Sequence, residues 1–183
     1  LFDEYSFKIT TIRDQELKAS LTNILKLGIS DEDVDPRYIH HFYNPINNNG
    51  LSIPMWPDGK PSLKWAIENT DNDYRLPQVI AEYKQALEIM DSEERNKHFG
   101  NSYYGLGMVM HLIQDLSQPE HVRDDMHPPI LPSSYVIGGF LETYAAGKNV
   151  SQVLTQAHAL GIDTGTPMTV PWPDFFRIWE DRY

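Results

Sequence analysis

Residues 103–116, YYGLGMVMHLIQDL, are apolar nearly all the way round a helix; His111, Gln114 and Asp115 enter only near the end. A helix without a polar face belongs inside a bundle, so this stretch predicts a central buried helix. Ser92, with Glu94 close behind it, reads as its N-terminal cap, giving a helix from Ser92 to Leu116. Gly105 and Gly107 are placed either for close packing of a neighbouring helix or to leave backbone open at a metal site. Just beyond, SQPEH brings Pro119, expected to end the helix and turn the chain so that His121 comes back toward the same space.

The flanking sequence is also helical in period. Asp14 to Leu27 reads as a helix with Leu17, Leu21, Ile24 and Leu25 on one face and Gly28 as its stop. Ser62 to Asn69 reads as a short helix capped by Ser62, and Leu76 to Met90 carries Val79, Ile80, Tyr83, Ala86, Leu87 and Met90 at helical spacing. Further helices are expected over Ser134–Ala146 and Val150–Leu160, with a last short one after Pro171 or Pro173 carrying Phe175, Phe176 and Trp179. Between Ser30 and Pro61 the prolines, glycines and an Asn run predict irregular chain, a length that usually has a function or a specific anchor. Only Phe7 to Ile12 hints at a strand. The expected fold class is all-α, a single-domain multi-helix bundle over residues 1–183.

Composition narrows the function. The chain has 183 residues, 40% hydrophobic and 11% aromatic, enough for one substantial core. A formal charge of -11 argues against duplex nucleic acid as a partner, since that needs a basic face. With no cysteine, disulfides and thiolate metal sites are excluded. No apolar run approaches the ~18 residues needed to span a bilayer. LFDEYSFKIT has early acids and no apolar core, so it is no signal peptide, and a start at Leu1 is expected of a mature product or a fragment.

His111 and Asp115 are four apart, hence on one helix face. Buried there, an imidazole and a carboxylate must be paired or coordinated, because desolvation otherwise costs a few kcal/mol. Two readings stand: a hydrogen-bonded pair inside a bundle, or metal ligands joined by His121. Nitrogen and oxygen ligands without thiolate suit zinc in a catalytic site.

HFYNP (41–45), HLIQDLSQPEH (111–121) and FLETY (140–144) together resemble the zinc-dependent phospholipase C family, whose fold is shared with single-strand-specific nucleases of the S1/P1 type. The resemblance covers residues 28–145 and implies an all-α phospholipase C/P1 nuclease-like bundle. It also implies one to three zinc ions and cleavage of phosphodiester bonds. Carried over, His41 matches the first ligand histidine, and Asn44 stands where the family has aspartate. His111 and Asp115 match the central pair, Asp115 bridging two zincs; His121 and Glu142 match the ligands downstream. The family's aspartate before HFYDP, a zinc ligand and general base, has three candidates, Asp31, Asp33 and Asp35; Asp33 is the choice on its Glu-Asp context and Asp31 the second.

Two departures stand out. Gly138 occupies the place of a ligand histidine, for which His127 or Asp125 would be the substitute, and no histidine precedes His40 to supply the family's N-terminal ligand. Either an N-terminal segment lies outside this sequence or that zinc is absent. The resemblance implies a phospholipid or other phosphodiester substrate, transient contact with a membrane surface, and an extracellular or periplasmic protein. Single-strand nuclease activity is the alternative within this chemistry, and a non-catalytic module keeping one metal is the alternative outside it. His40 fits a supporting or surface role, and His98 and His158 structural or solvated ones. Trp56, Trp65, Trp172 and Trp179, with Tyr103 and Tyr104, read first as packing residues.

Overall fold

In the computed structural model, residues 5–52 and 57–122 are described. The first element is an antiparallel hairpin of β1 (Ser6–Thr10) and β2 (Glu16–Ser20), with Ser6 opposite Ser20 and Thr10 opposite Glu16. Helix α1 (Leu21–Glu32) follows, then a 3-10 turn over Arg37–His40, α2 (Ser62–Ile67), α3 (Leu76–Glu88), the long α4 (Ser92–Asp115) and the single turn α5 (Pro119–Val122). The described residues are mostly helical, as expected, but they are not all-α.

The hairpin corrects the N-terminal reading. Asp14 to Leu27 is not one helix: residues 16–20 pair with β1, and the helix begins only at Leu21. Leu17 packs against the cluster of Ile9, Ile24, Tyr104 and Met108 from a strand, so its apolar character is satisfied by either period. The weak alternation at Phe7 to Ile12 is the strand that claims it.

Gly28 is not a stop either. It lies inside α1, where α1 crosses α4 closely enough that a Cβ would run into the Tyr104 carbonyl oxygen and lie 3.2 Å from the Gly107 Cα. A Cβ on Gly107 would in turn meet the Gly28 Cα at 3.1 Å. The glycines are therefore a close-packing pair, and α1 continues a further turn to Glu32. The irregular segment consequently begins later than Ser30.

Other boundaries shift little. The cap of α4 is Asp91 rather than Ser92; its carboxylate accepts from the Glu93 and Glu94 N–H groups at 3.0 and 2.9 Å. Pro61, not Ser62, precedes α2, and Ser62 is its buried first residue. Pro119 opens α5 instead of ending α4. The preceding turn is closed by the Ser117 hydroxyl, which donates to the Gln114 carbonyl at 2.6 Å.

The described parts of the long irregular segment are anchored by backbone N–H bonds. Gly59 N–H donates to the Leu51 carbonyl at 2.8 Å, Ser62 N–H to Phe42 at 3.0 Å, and Lys60 N–H to the His40 Nδ1 at 2.8 Å. These bonds hold the 3-10 turn against α2. No helix among the described residues is long and apolar enough to cross a membrane. The helices expected over 134–146, 150–160 and after Pro171, together with Trp56, Asp125, His127, Gly138, Glu142, His158, Trp172 and Trp179, lie outside the described residues.

Candidate metal centre

The ends of three elements meet at one point. Asp33 is the C-cap of α1, His41 the C-cap of the 3-10 turn, and His111 and Asp115 share the last turn of α4. The His41 Nδ1 lies 3.0 Å from Asp115 Oδ2 and 3.6 Å from Asp33 Oδ1. His111 Nε2 lies 3.2 Å from the same Asp115 oxygen and 3.5 Å from the same Asp33 oxygen. Each imidazole nitrogen therefore faces both carboxylates.

The arrangement could hold a metal ion. The His41 Nε2 lies 3.1 Å from the Glu32 carbonyl, which can only accept. Nε2 is therefore the donor in that contact, which leaves Nδ1 as the ring nitrogen turned toward the carboxylates. Asp115 Oδ2 is buried and accepts no hydrogen bond despite two nitrogens close by. Lone pairs converging on one point, with a buried oxygen left unsatisfied, fit a cation between them. Asp33, His41 and His111 each offer one ligand atom, all within 4.8 Å of one another, and could hold a metal ion.

Burial is uneven. His41 and Asp115 are 3% and 5% exposed, whereas the Asp33 side chain is 62% exposed and opens the cluster to solvent on one side. Burial on its own would raise the Asp115 pKa; contacts with His111, His121 and His41 overcome it and hold the carboxyl far below the usual carboxylate range. Burial pulls His111 downward, but Asp115, Asp33 and Glu32 together outweigh it and the net shift is upward.

His121 joins from α5. Its Nδ1 lies 3.3 Å from the other Asp115 oxygen, Oδ1, so the two oxygens of one carboxylate address different histidines. The Tyr43 N–H donates to the His121 carbonyl at 3.0 Å and ties α5 to the HFYNP segment.

The competing aspartates separate cleanly. Asp31 points the other way, accepting from the Tyr104 hydroxyl at 2.7 Å in the core, and Asp33 alone of the three enters the cluster. Asn44 is a turn residue; its side-chain oxygen accepts from the Ile46 N–H at 2.9 Å. His40 is an acceptor stacked on Trp65 with ring centroids 3.9 Å apart, and His98 pairs with Glu82 at 2.8 Å. Tyr104 is core, as its sequence context implied, but with a polar task at its hydroxyl.

Sequence reasoning missed Glu32, Arg37 and Asn72. Glu32 is fully buried, bonded by Arg37 Nε at 2.9 Å and Nη2 at 2.6 Å, and by the Trp65 indole N–H at 2.9 Å. Asn72 accepts from Arg37 at 3.0 Å and donates to the Trp65 carbonyl at 2.9 Å. The five-residue spacing of Glu32 and Arg37 across a proline was the only trace in the sequence.

In comparisons with known proteins, no family model, curated protein or solved structure matches the chain.

Proposed function

We propose that this chain is a zinc-dependent hydrolase of phosphodiester bonds, of the phospholipase C type and with that family's helical fold. The observation that supports it is the convergence of His41 Nδ1, His111 Nε2 and Asp33 Oδ1 at metal-ligand spacing, beside the unsatisfied buried Asp115 Oδ2. A donor set of imidazole and carboxylate, with no thiolate in the chain, favours zinc among common metals.

When bound, zinc would supply Lewis acidity toward a phosphoryl oxygen and toward water. The protein's own groups divide the remaining work. Asp115 and His41 are buried and fixed, so their task is holding. Asp33 is the exposed member, and its carboxylate accepts the proton of a water that attacks phosphorus in line. The new P–O bond forms from that water as the ester P–O bond on the opposite side breaks, and the departing alkoxide takes up a proton from solvent to leave as the alcohol. The chain's charge of -11 disfavours duplex nucleic acid but not single strands or phospholipid; we take phospholipid at a membrane surface, and an exported protein, from the resemblance of its motifs to the phospholipase C family.

Elemental analysis with parallel assays on phosphatidylcholine vesicles and single-stranded DNA tests this. Wild type is expected to hold zinc and release a phosphorylated head group, and His111→Ala is expected to lose both together. Turnover unchanged in His111→Ala would refute the assignment. Hydrolysis of the DNA in preference to lipid would move the reading to the nuclease branch, and bound zinc without either activity to a metal-stabilised module.

A further inference from the structure

The stretch between two of the cluster's members, Asp33 and His41, has little regular structure beyond the 3-10 turn at Arg37–His40. Something outside it must hold both ends in place. The Glu32 carboxylate, one residue before Asp33, binds Arg37 in the middle of the stretch. The guanidinium is gripped in turn, lying 5.1 Å from the Trp65 ring centroid and 5.5 Å from that of Tyr74. Its Nη2 also donates to Asn72.

The burial makes a stability role alone a poor account. The Glu32 side chain is 0% exposed and that of Arg37 12%, and desolvating such a pair costs about as much as its attraction returns. What the pair does secure is position. The Glu32 backbone carbonyl, on the same residue, is the acceptor for His41 Nε2 at 3.1 Å. That bond decides which imidazole nitrogen faces the cluster.

We infer that the Glu32–Arg37 pair, braced by Trp65, is a positioning device for His41: it holds the Glu32 carbonyl where the imidazole's Nε2–H bonds to it, so that the Nδ1 lone pair is presented to Asp33 and Asp115. None of Glu32, Arg37 and Trp65 contributes a ligand atom to the cluster; each acts through His41. The inference rests on the zinc reading for its consequence, though not for its geometry.

Two variants and one control test it. Arg37→Lys keeps the charge but loses the two-nitrogen grip and the planar fit between the rings. Trp65→Phe keeps a ring beside Arg37 and His40, loses the donor to Glu32, and gives up some packing against Ala66 and Leu112. Zinc affinity is measured by competition with a chromophoric chelator, and the His41 tautomer by nitrogen-15 NMR of the metal-free protein. Arg37→Lys is expected to weaken zinc binding about 10–100-fold, Trp65→Phe by less, and both to turn a single Nε2–H tautomer into a mixture. The control, Tyr104→Phe, disturbs a buried bond in the same helix pair and is expected to move neither readout.

Wild-type affinity and an unmixed tautomer in Trp65→Phe would overturn the inference, and that variant decides if Arg37→Lys fails to fold. Equal loss of zinc affinity in Tyr104→Phe would overturn it too, because general loosening would then suffice. If wild type itself binds no zinc, the functional proposal fails separately, while the metal-free tautomer measurement still decides this one.

Discussion

Replacing Gly28 with alanine should disturb the candidate centre from a distance. The added Cβ would collide with the Tyr104 carbonyl oxygen, and would lie 3.1 Å from the Tyr104 carbonyl carbon and 3.2 Å from the Gly107 Cα. All three are backbone atoms, so no rotamer change relieves them. Ordinary carbon–oxygen contacts begin near ~3.3 Å, so α1 and α4 must separate by roughly 1 Å. Alanine gains about 1 kcal/mol of helix propensity over glycine, against about 1–3 kcal/mol or more for overpacking a close contact. With backbone on both sides the collision wins, and a net loss of about 2 kcal/mol is expected. Gly28 lies four residues before Glu32 and Gly107 four before His111, so the crossing is only about 6 Å along each helix from the site. The 3.5 Å edge between His111 and Asp33 joins the two helices beyond the crossing and should lengthen with it. Metal sites tolerate only about 0.2 Å in ligand distance, so zinc affinity should fall more than tenfold. Urea unfolding in the presence of chelator reads the first effect, and zinc competition the second. A Gly28→Ala protein as stable as wild type would refute the packing argument; lower stability with unchanged zinc affinity would refute the coupling of crossing to site.

Other substitutions separate neighbours that look alike in sequence. Asp33→Asn should lose zinc and hydrolysis, whereas Asp31→Asn should keep zinc, as metal analysis of the two proteins will show. Tyr104→Phe removes the bonds to Asp31 and to the Ile12 N–H and should cost about 1–3 kcal/mol in urea unfolding. His40 is held down from 6.5 to about 4, first by burial and then by Arg37, His41 and Lys60. The unfolded chain therefore takes up this proton before the folded one does: stability from this group is full above pH 6.5, declines as pH falls, and has gone by about pH 4. His40→Asn should flatten that decline by about 1–2 kcal/mol once solvent screening is allowed for, measured as unfolding midpoint against pH in chelator. An unchanged slope would mean that His40 carries no such linkage.

Much of the helical frame was legible because its signals are local. The period of α3, the apolar run of α4 and the density of proline and glycine between residues 42 and 61 each follow from a short window. The errors fell where a distant partner decides. Leu17 fits a helix stripe as well as a strand, and only pairing with β1 selects the strand. Gly28 looks the same in sequence whether it ends a helix or admits another one, and the partner that makes it a crossing is Gly107, far along the chain.

The site divides along the same line. His111 and Asp115 were visible because a four-residue spacing fixes a shared face, and His121 because a turn follows directly. Asp33 could not be told from Asp31 by spacing, since two residues along a helix end swing a side chain from the cluster to the core; Tyr104 and His41 make the distinction in space. Glu32 and Arg37 were invisible for a further reason: a charged pair among charged residues reads as surface, and burial alone changes its meaning. A feature that positions a ligand, rather than being one, has no spacing rule of its own. It follows that the residues most worth substituting near this centre are those whose burial contradicts their chemistry, and the fully buried Glu32 carboxylate is the clearest of them.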